Sequence, residues 1–133
     1  MLKDLLKTKE TILIPGVYDA LSALIAKQEG FNALYMSGFA VAGSLLAKPD
    51  IGLVTASEMI ERAGQIVSSV GDTAVIADGD NGYGGGHNVA RLVSAYEQAG
   101  VQAIQLEDQV SPKRCGHMEN KQVVELGDAV AKI

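Results

Sequence analysis

The sequence holds one cysteine and no tryptophan in 133 residues. A single thiol rules out an intramolecular disulfide framework and suits a reducing compartment, so the expected location is cytoplasmic. Basic residues are in the minority, with 11 Lys and Arg against 16 Asp and Glu and a net charge of −5. Without a positive footprint, nucleic acid is excluded as a partner. No apolar run reaches the ~18 residues that a membrane-spanning helix needs. The amphipathic start Met1–Lys7 carries Asp4 and lacks the apolar stretch of a secretory signal. Three motifs are missing as well: the G-x-x-x-x-G-K-S/T phosphate loop, the G-x-G-x-x-G dinucleotide fingerprint and the G-x-S-x-G nucleophile elbow.

What remains is an ordinary soluble composition, 47% hydrophobic and 20% charged, with no linker or low-complexity segment to divide it. Residues 1–133 therefore read as a single domain. Amphipathic helix 2–10 precedes a strand over Thr11–Gly16, and Asp19 caps a helix over Ala20–Gln28 with Leu21, Leu24 and Ile25 on one face. Strand Phe31–Gly38 leads into a helical turn over Phe39–Ala47. Thr55 and Glu58 form a capping box for a helix to about Val70. Then follow strand Thr73–Asp78, helix Val89–Ala99, strand Val101–Glu107 and a last helix running from near Val123 to Ile133. The order is βαβαβαβα with strands apolar on both faces, the pattern of a parallel sheet covered by helices. An open doubly wound sheet and part of a (β/α)8 barrel both fit.

Either architecture places chemistry at the carboxyl ends of strands, and the polar clusters fall there. Asp78 and Asp80, two residues apart in extended chain, leave the backbone on the same side. They read either as hard oxygen ligands for Mg2+ or Mn2+, joined by Glu107 from the next strand, or as turn-forming residues of Asp-Gly-Asp-Asn-Gly. The following Gly84-Gly85-Gly86 stretch permits close backbone approach, and His87 reads as a surface or helix-start residue. Ser37 and Gly38 open a helix and suit an anion site for a substrate carboxylate. Cys115 follows Lys113 and Arg114, and His117 comes two residues later. The lone thiol makes a poor metal site, and a base at i+2 is too close for a Cys-His hydrolase. A general acid or base on a mobile loop, with flanking cations favouring the thiolate, fits best.

Five blocks together resemble the isocitrate lyase / phosphoenolpyruvate mutase superfamily, nearest its 2-methylisocitrate lyase and dimethylmalate lyase-like members. These are Tyr35-Met-Ser37-Gly38, Pro49-Asp50-Ile-Gly52-Leu, Ala77-Asp78-Gly-Asp80-Asn-Gly82-Tyr-Gly84, Glu107-Asp108-Gln109 and Lys113-Arg114-Cys115-Gly116-His117. The resemblance implies a (β/α)8 TIM barrel, of which this chain is the first four βα units, a half-barrel ending within the fourth unit's helix. It implies Mg2+ (or Mn2+) near Asp78 and Asp80, with Asp50 and Glu107 acting partly through water. Tyr35, Ser37, Gly38, Phe39 and Gly116 would bind the substrate. Cys115 would protonate the enolate left by carbon–carbon cleavage, with Lys113, Arg114 and His117 positioning and polarising its loop. The implied activity is a Mg2+-dependent lyase acting on a 2-hydroxy di- or tricarboxylate. Oxaloacetate decarboxylation is the near alternative, and the Cys115 block argues against the phosphonomutase branch. Family members are much longer, so a catalytically inactive half-barrel is also open. Its two free sheet edges make a homo-oligomer the expected state.

Overall fold

A computed structural model describes residues 2–8 and 10–133. Four strands, β1 (Gly16–Val17), β2 (Ala33–Met36), β3 (Ala74–Asp78) and β4 (Ala103–Gln105), form one sheet. Its order is β1-β2-β3-β4, every pairing is parallel, and β1 and β4 are the edges. Helices α1 (Leu2–Leu5), α2 (Ala20–Gln28), α3 (Gly38–Leu46), α4 (Ala56–Val70), α5 (Gly86–Gln98) and α6 (Leu126–Val130) complete the chain. None of the described helices is long and apolar enough to cross a membrane.

Strand alternation sorts side chains onto two faces. Leu34, Met36, Val75 and Ala77 point to the helices and join Met59, Ala63, Ile66, Val70, Leu92 and Tyr96 in the main core. On α4 the spacing of Met59, Ala63, Ile66 and Val70 is four, three, four, the stripe of an amphipathic helix. The opposite face carries small residues, Ala33 and Ala74, packed with Leu2, Ile76 and Ala103 at the amino ends of the strands. Helix α1 closes that end, where the Leu2 N–H donates to Gln102 Oε1 at 3.0 Å. By the same alternation Asp78 shares the second face with Ala74 and Ile76, at the carboxyl end.

Local signals hold where a cap fixes them. Asp19 accepts from the Ser22 N–H at 2.7 Å, and the Thr55–Glu58 box closes both ways, with the Thr55 N–H reaching Glu58 Oε2 at 2.7 Å. Several boundaries differ. Pairing in β1 begins only after Pro15, which has no N–H to give, although its carbonyl accepts from Tyr35. Helix α3 runs from Gly38 to Leu46, one residue earlier at each end than the sequence suggested, because the Ser37 side chain caps it. Helix α5 starts at Gly86, three residues before its first buried side chain, so its first turn carries no apolar period. The face Leu21, Leu24, Ile25 is not the buried one: α2 packs through Ala23, and Leu21 stays 65% exposed. The last helix is five residues, ending at Val130, because Val123 instead pairs with Gln109 across an antiparallel bridge.

The packing of α4 against the sheet predicts that Ile66→Ala costs about 2–5 kcal/mol, the range for a large-to-small change in a filled core. Urea unfolding measures it, and a loss within surface-substitution range would contradict the packing.

Candidate functional site at the carboxyl ends of the strands

Asp78 ends β3, and three groups fix it. Its Oδ2 accepts from the Gly38 N–H at 3.0 Å and its Oδ1 from the Asp80 N–H at 2.9 Å. Its carbonyl accepts from the buried Tyr96 hydroxyl at 2.8 Å. A Cβ at Gly38 would lie 2.8 Å from Asp78 Oδ2, so the close approach of α3 depends on glycine. Turn chemistry is thus present at Asp78-Gly-Asp80. Asp80 adopts a left-handed φ of 47°, and its carbonyl accepts from the Glu107 N–H at 2.7 Å. That bond draws the ends of β3 and β4 together.

The loop after β4 supplies the counter-charge. Lys113 Nζ lies 2.8 and 2.9 Å from the two carboxylate oxygens of Asp50 and also closes on Asp80 Oδ1. Its side chain is 3% exposed. Burial alone would push this ammonium down, but its bonds to Asp50 and Asp80 outweigh that and hold it above the usual lysine range. Burial raises the Asp80 carboxyl against the pull of Lys113, and burial likewise raises Glu107, with Asp78 and Asp80 adding to it. Burial and then Asp78 also raise the Tyr35 hydroxyl. Asp80 Oδ2 accepts from the Tyr83 hydroxyl at 2.9 Å, a partner the glycine-rich reading of that loop passed over.

Lys113 is therefore not a free cation beside the thiol, as the sequence suggested; it is committed to two carboxylates. Cys115 itself is buried, and its N–H donates to the Asp50 carbonyl at 2.8 Å. Its Sγ lies 3.6 Å from His117 Nδ1. Arg114, Gly116 and His117 are exposed. The loop tip is braced by Lys121 Nζ, which donates to the carbonyls of Gly116 and Met118. Lys121 and Gln109, two further loop residues in polar contacts, carried no signal in the sequence beyond their neighbourhood.

The other expected substrate contacts are spread more widely. Tyr35 faces Asp78, and Ser37 Oγ accepts from the Ala40 N–H at 3.4 Å as the cap of α3. The Gly38 N–H is directed at Asp78, not outward to a ligand carboxylate. Phe39 is 59% exposed. A cavity of about 530 Å³ lies beside the carboxylates, lined in part by Thr55, Asp80, Tyr83, Ser111 and Lys113.

Among the described residues no three His, Cys, Asp or Glu side chains converge as a ready metal cage. The donor set nonetheless fits a hard cation. Asp50, Asp78, Asp80 and Glu107 bring four carboxylates to a region where Lys113 is the buried cation. Mg2+ commonly takes one or two carboxylates and keeps water for the rest.

The phosphoenolpyruvate phosphomutase family model matches residues 2–133. The chain is 47% identical over 132 residues to a 2,3-dimethylmalate lyase of Eubacterium barkeri, covering 99% of this chain and 45% of that one. Among solved structures it is similar to oxaloacetate acetylhydrolase in complex with 3,3-difluorooxalacetate, with a TM-score of 0.95, 41% identity, 98% coverage of this chain and 45% of that one. A phosphonopyruvate hydrolase in complex with oxalate and Mg2+ matches with a TM-score of 0.86 and 31% identity, covering 98% of this chain and 44% of that one. The chain thus spans less than half the length of these relatives. Its parallel sheet is the first four βα units of a (β/α)8 barrel, a half-barrel.

Removing the buried ammonium leaves Asp50 and Asp80 facing each other unpaired. Lys113→Met should cost about 3–5 kcal/mol in the absence of divalent cations, the range for breaking a buried ion pair on one side. Urea unfolding in EDTA measures it, and a cost below ~1 kcal/mol, the value of an exposed pair, would contradict the geometry.

Proposed function

The chain belongs to the phosphoenolpyruvate mutase / isocitrate lyase superfamily, and on that premise we propose that it carries the carboxylate centre and acid loop of a Mg2+-dependent carbon–carbon lyase. The substrate class is a 2-hydroxy di- or tricarboxylate such as 2,3-dimethylmalate or 2-methylisocitrate. The observation that carries this reading is the tie between Cys115 and Asp50, which seats the thiol loop against the carboxylate cluster.

Asp78 and Asp80 would hold the cation, with Asp50 and Glu107 contributing through water. A divalent cation there would offset the negative charge that cleavage builds on the substrate's oxygens. The chain's own residues do the rest. Tyr35, Ser37 and Phe39 at the start of α3 orient the substrate carboxylate, while Gly38 holds Asp78 in place. As the carbon–carbon bond breaks, the hydroxyl-bearing carbon becomes a carbonyl, its hydroxyl proton passing to a carboxylate of the cluster, and the bond's electron pair stays with the carbon next to the retained carboxylate. Cys115 gives its Sγ proton to that carbon and becomes a thiolate. His117, 3.6 Å from Sγ, is placed to return the proton, while Gly116 and Arg114 shape the loop over the site.

Residues 1–133 form one domain on this reading, with a cytoplasmic location and self-association through the open β1 and β4 edges. Two other readings have an observation behind them. The likeness to oxaloacetate acetylhydrolase favours oxaloacetate as an alternative substrate, through decarboxylation or related carbon–carbon cleavage. The short span against the relatives favours a half-barrel without turnover.

A panel of 2-methylisocitrate, 2,3-dimethylmalate and oxaloacetate with Mg2+ separates these. One hydroxy acid should turn over, and Cys115→Ser should lower kcat by about 10²–10⁴-fold, the worth of a general acid, while Mg2+ affinity holds. Turnover of oxaloacetate alone selects the alternative substrate. No turnover with Mg2+ still bound selects the inactive half-barrel, and an unchanged rate in Cys115→Ser removes the thiol from the mechanism.

A further inference from the structure

Gln109 takes no part in the chemistry above, yet it is 6% exposed. Every polar position of its carboxamide is in use. Nε2 donates to Glu107 Oε2 at 2.7 Å and to the Arg114 carbonyl at 2.8 Å. Oε1 accepts from the Arg114 N–H at 3.1 Å. A primary amide has two N–H donors, and both are engaged here. The pairing with Arg114 gives one donor and one acceptor to the same residue, as a neighbouring strand would.

The two ends of this contact set differ in kind. One is Glu107, a carboxylate of the cluster; the other is the backbone of Arg114, directly before Cys115. Cys115 is then held by its own N–H to the Asp50 carbonyl at 2.8 Å. A continuous run of short polar contacts therefore joins Glu107 to the residue that carries the thiol. The chain on either side of Gln109 is anchored separately, the Val110 N–H donating to the Gln122 carbonyl and the Val124 N–H to the Asp108 carbonyl, which leaves the side chain to serve the loop.

We propose that Gln109 is a positioning residue that registers the Cys115 loop against Glu107, setting where the thiol sits relative to the carboxylate cluster. Its meaning for turnover rests on the lyase reading above; the latch itself does not. Two shape-preserving variants separate the amide from the bulk of the side chain. Gln109→Met keeps length and loses all three polar contacts. Gln109→Glu keeps the acceptor for the Arg114 N–H and loses both donors, placing a carboxylate against Glu107.

Cys115 is the chain's only cysteine, so iodoacetamide labelling of the native 133-residue chain reports this loop alone. Both variants should label about tenfold faster than the parent, the factor corresponding to a hydrogen-bond loss of roughly 1.4 kcal/mol. Labelling in both should stay nearly independent of urea below the unfolding transition, the mark of a local opening of the loop. Where the substrate panel shows turnover, kcat should fall with KM little changed, because the thiol is displaced and the substrate contacts are not. Labelling rates equal to the parent's in both variants overturn the proposal. So does labelling that rises with urea as steeply as global unfolding, or failure of both variants to fold, since Gln109 would then support the fold and not the loop. Faster labelling in a chain that turns over no substrate leaves the latch standing and removes only the lyase reading.

Discussion

The structure turns on one buried ammonium. Lys113, from the loop after β4, lies between Asp50, from the loop before α4, and Asp80, just past β3. These groups come from three separate stretches of chain, and without the ammonium the two carboxylates would repel in a site largely closed to water. A buried ion pair adds little net stability over a well-packed apolar replacement, but it is costly to break on one side. Its consequence here is geometric: it fixes which loops meet, and it brings Cys115 within reach of Asp50.

That meeting depends on small residues. Gly38 lets α3 approach Asp78 closely enough for its N–H to bond the carboxylate. A Cβ at Gly79 would fall 2.7 Å from Ile104 Cδ1, so any larger residue there would have to push the Ile104 side chain aside. Behind the site, α2, α4 and α5 bury the helix-facing side chains of the sheet. The other face carries alanines low down and carboxylates at the top. The same alternation that builds the core therefore aims Asp78 away from it, at the carboxyl end of the sheet.

Much of this was legible in the sequence, for identifiable reasons. The helix caps at Asp19 and Thr55 are local hydrogen-bond patterns, and they form as read. The parallel order followed from apolar strands alternating with helices, and the carboxylates were conspicuous because they fell at strand ends. What failed was what depends on a distant partner. The apolar residues Leu21, Leu24 and Ile25 suggested a buried face on α2, but the sheet takes the small side of that helix at Ala23. Lys113 read as one of two loop cations beside a thiol, since no local pattern shows that residues 63 and 33 positions away would claim it. Gln109 stood in one of the family-like blocks, but its contacts were not legible, because a glutamine's role depends on which backbone groups its amide meets.

On the lyase reading, the carboxyl ends of β3 and β4 form a centre for one hard cation. Calorimetric titration of the chain with Mg2+ tests it most directly. The account predicts one site per chain, weakened at least about tenfold in Asp78→Asn, as expected when a charged ligand becomes neutral. No detectable Mg2+ binding, or binding unchanged by that substitution, would contradict it.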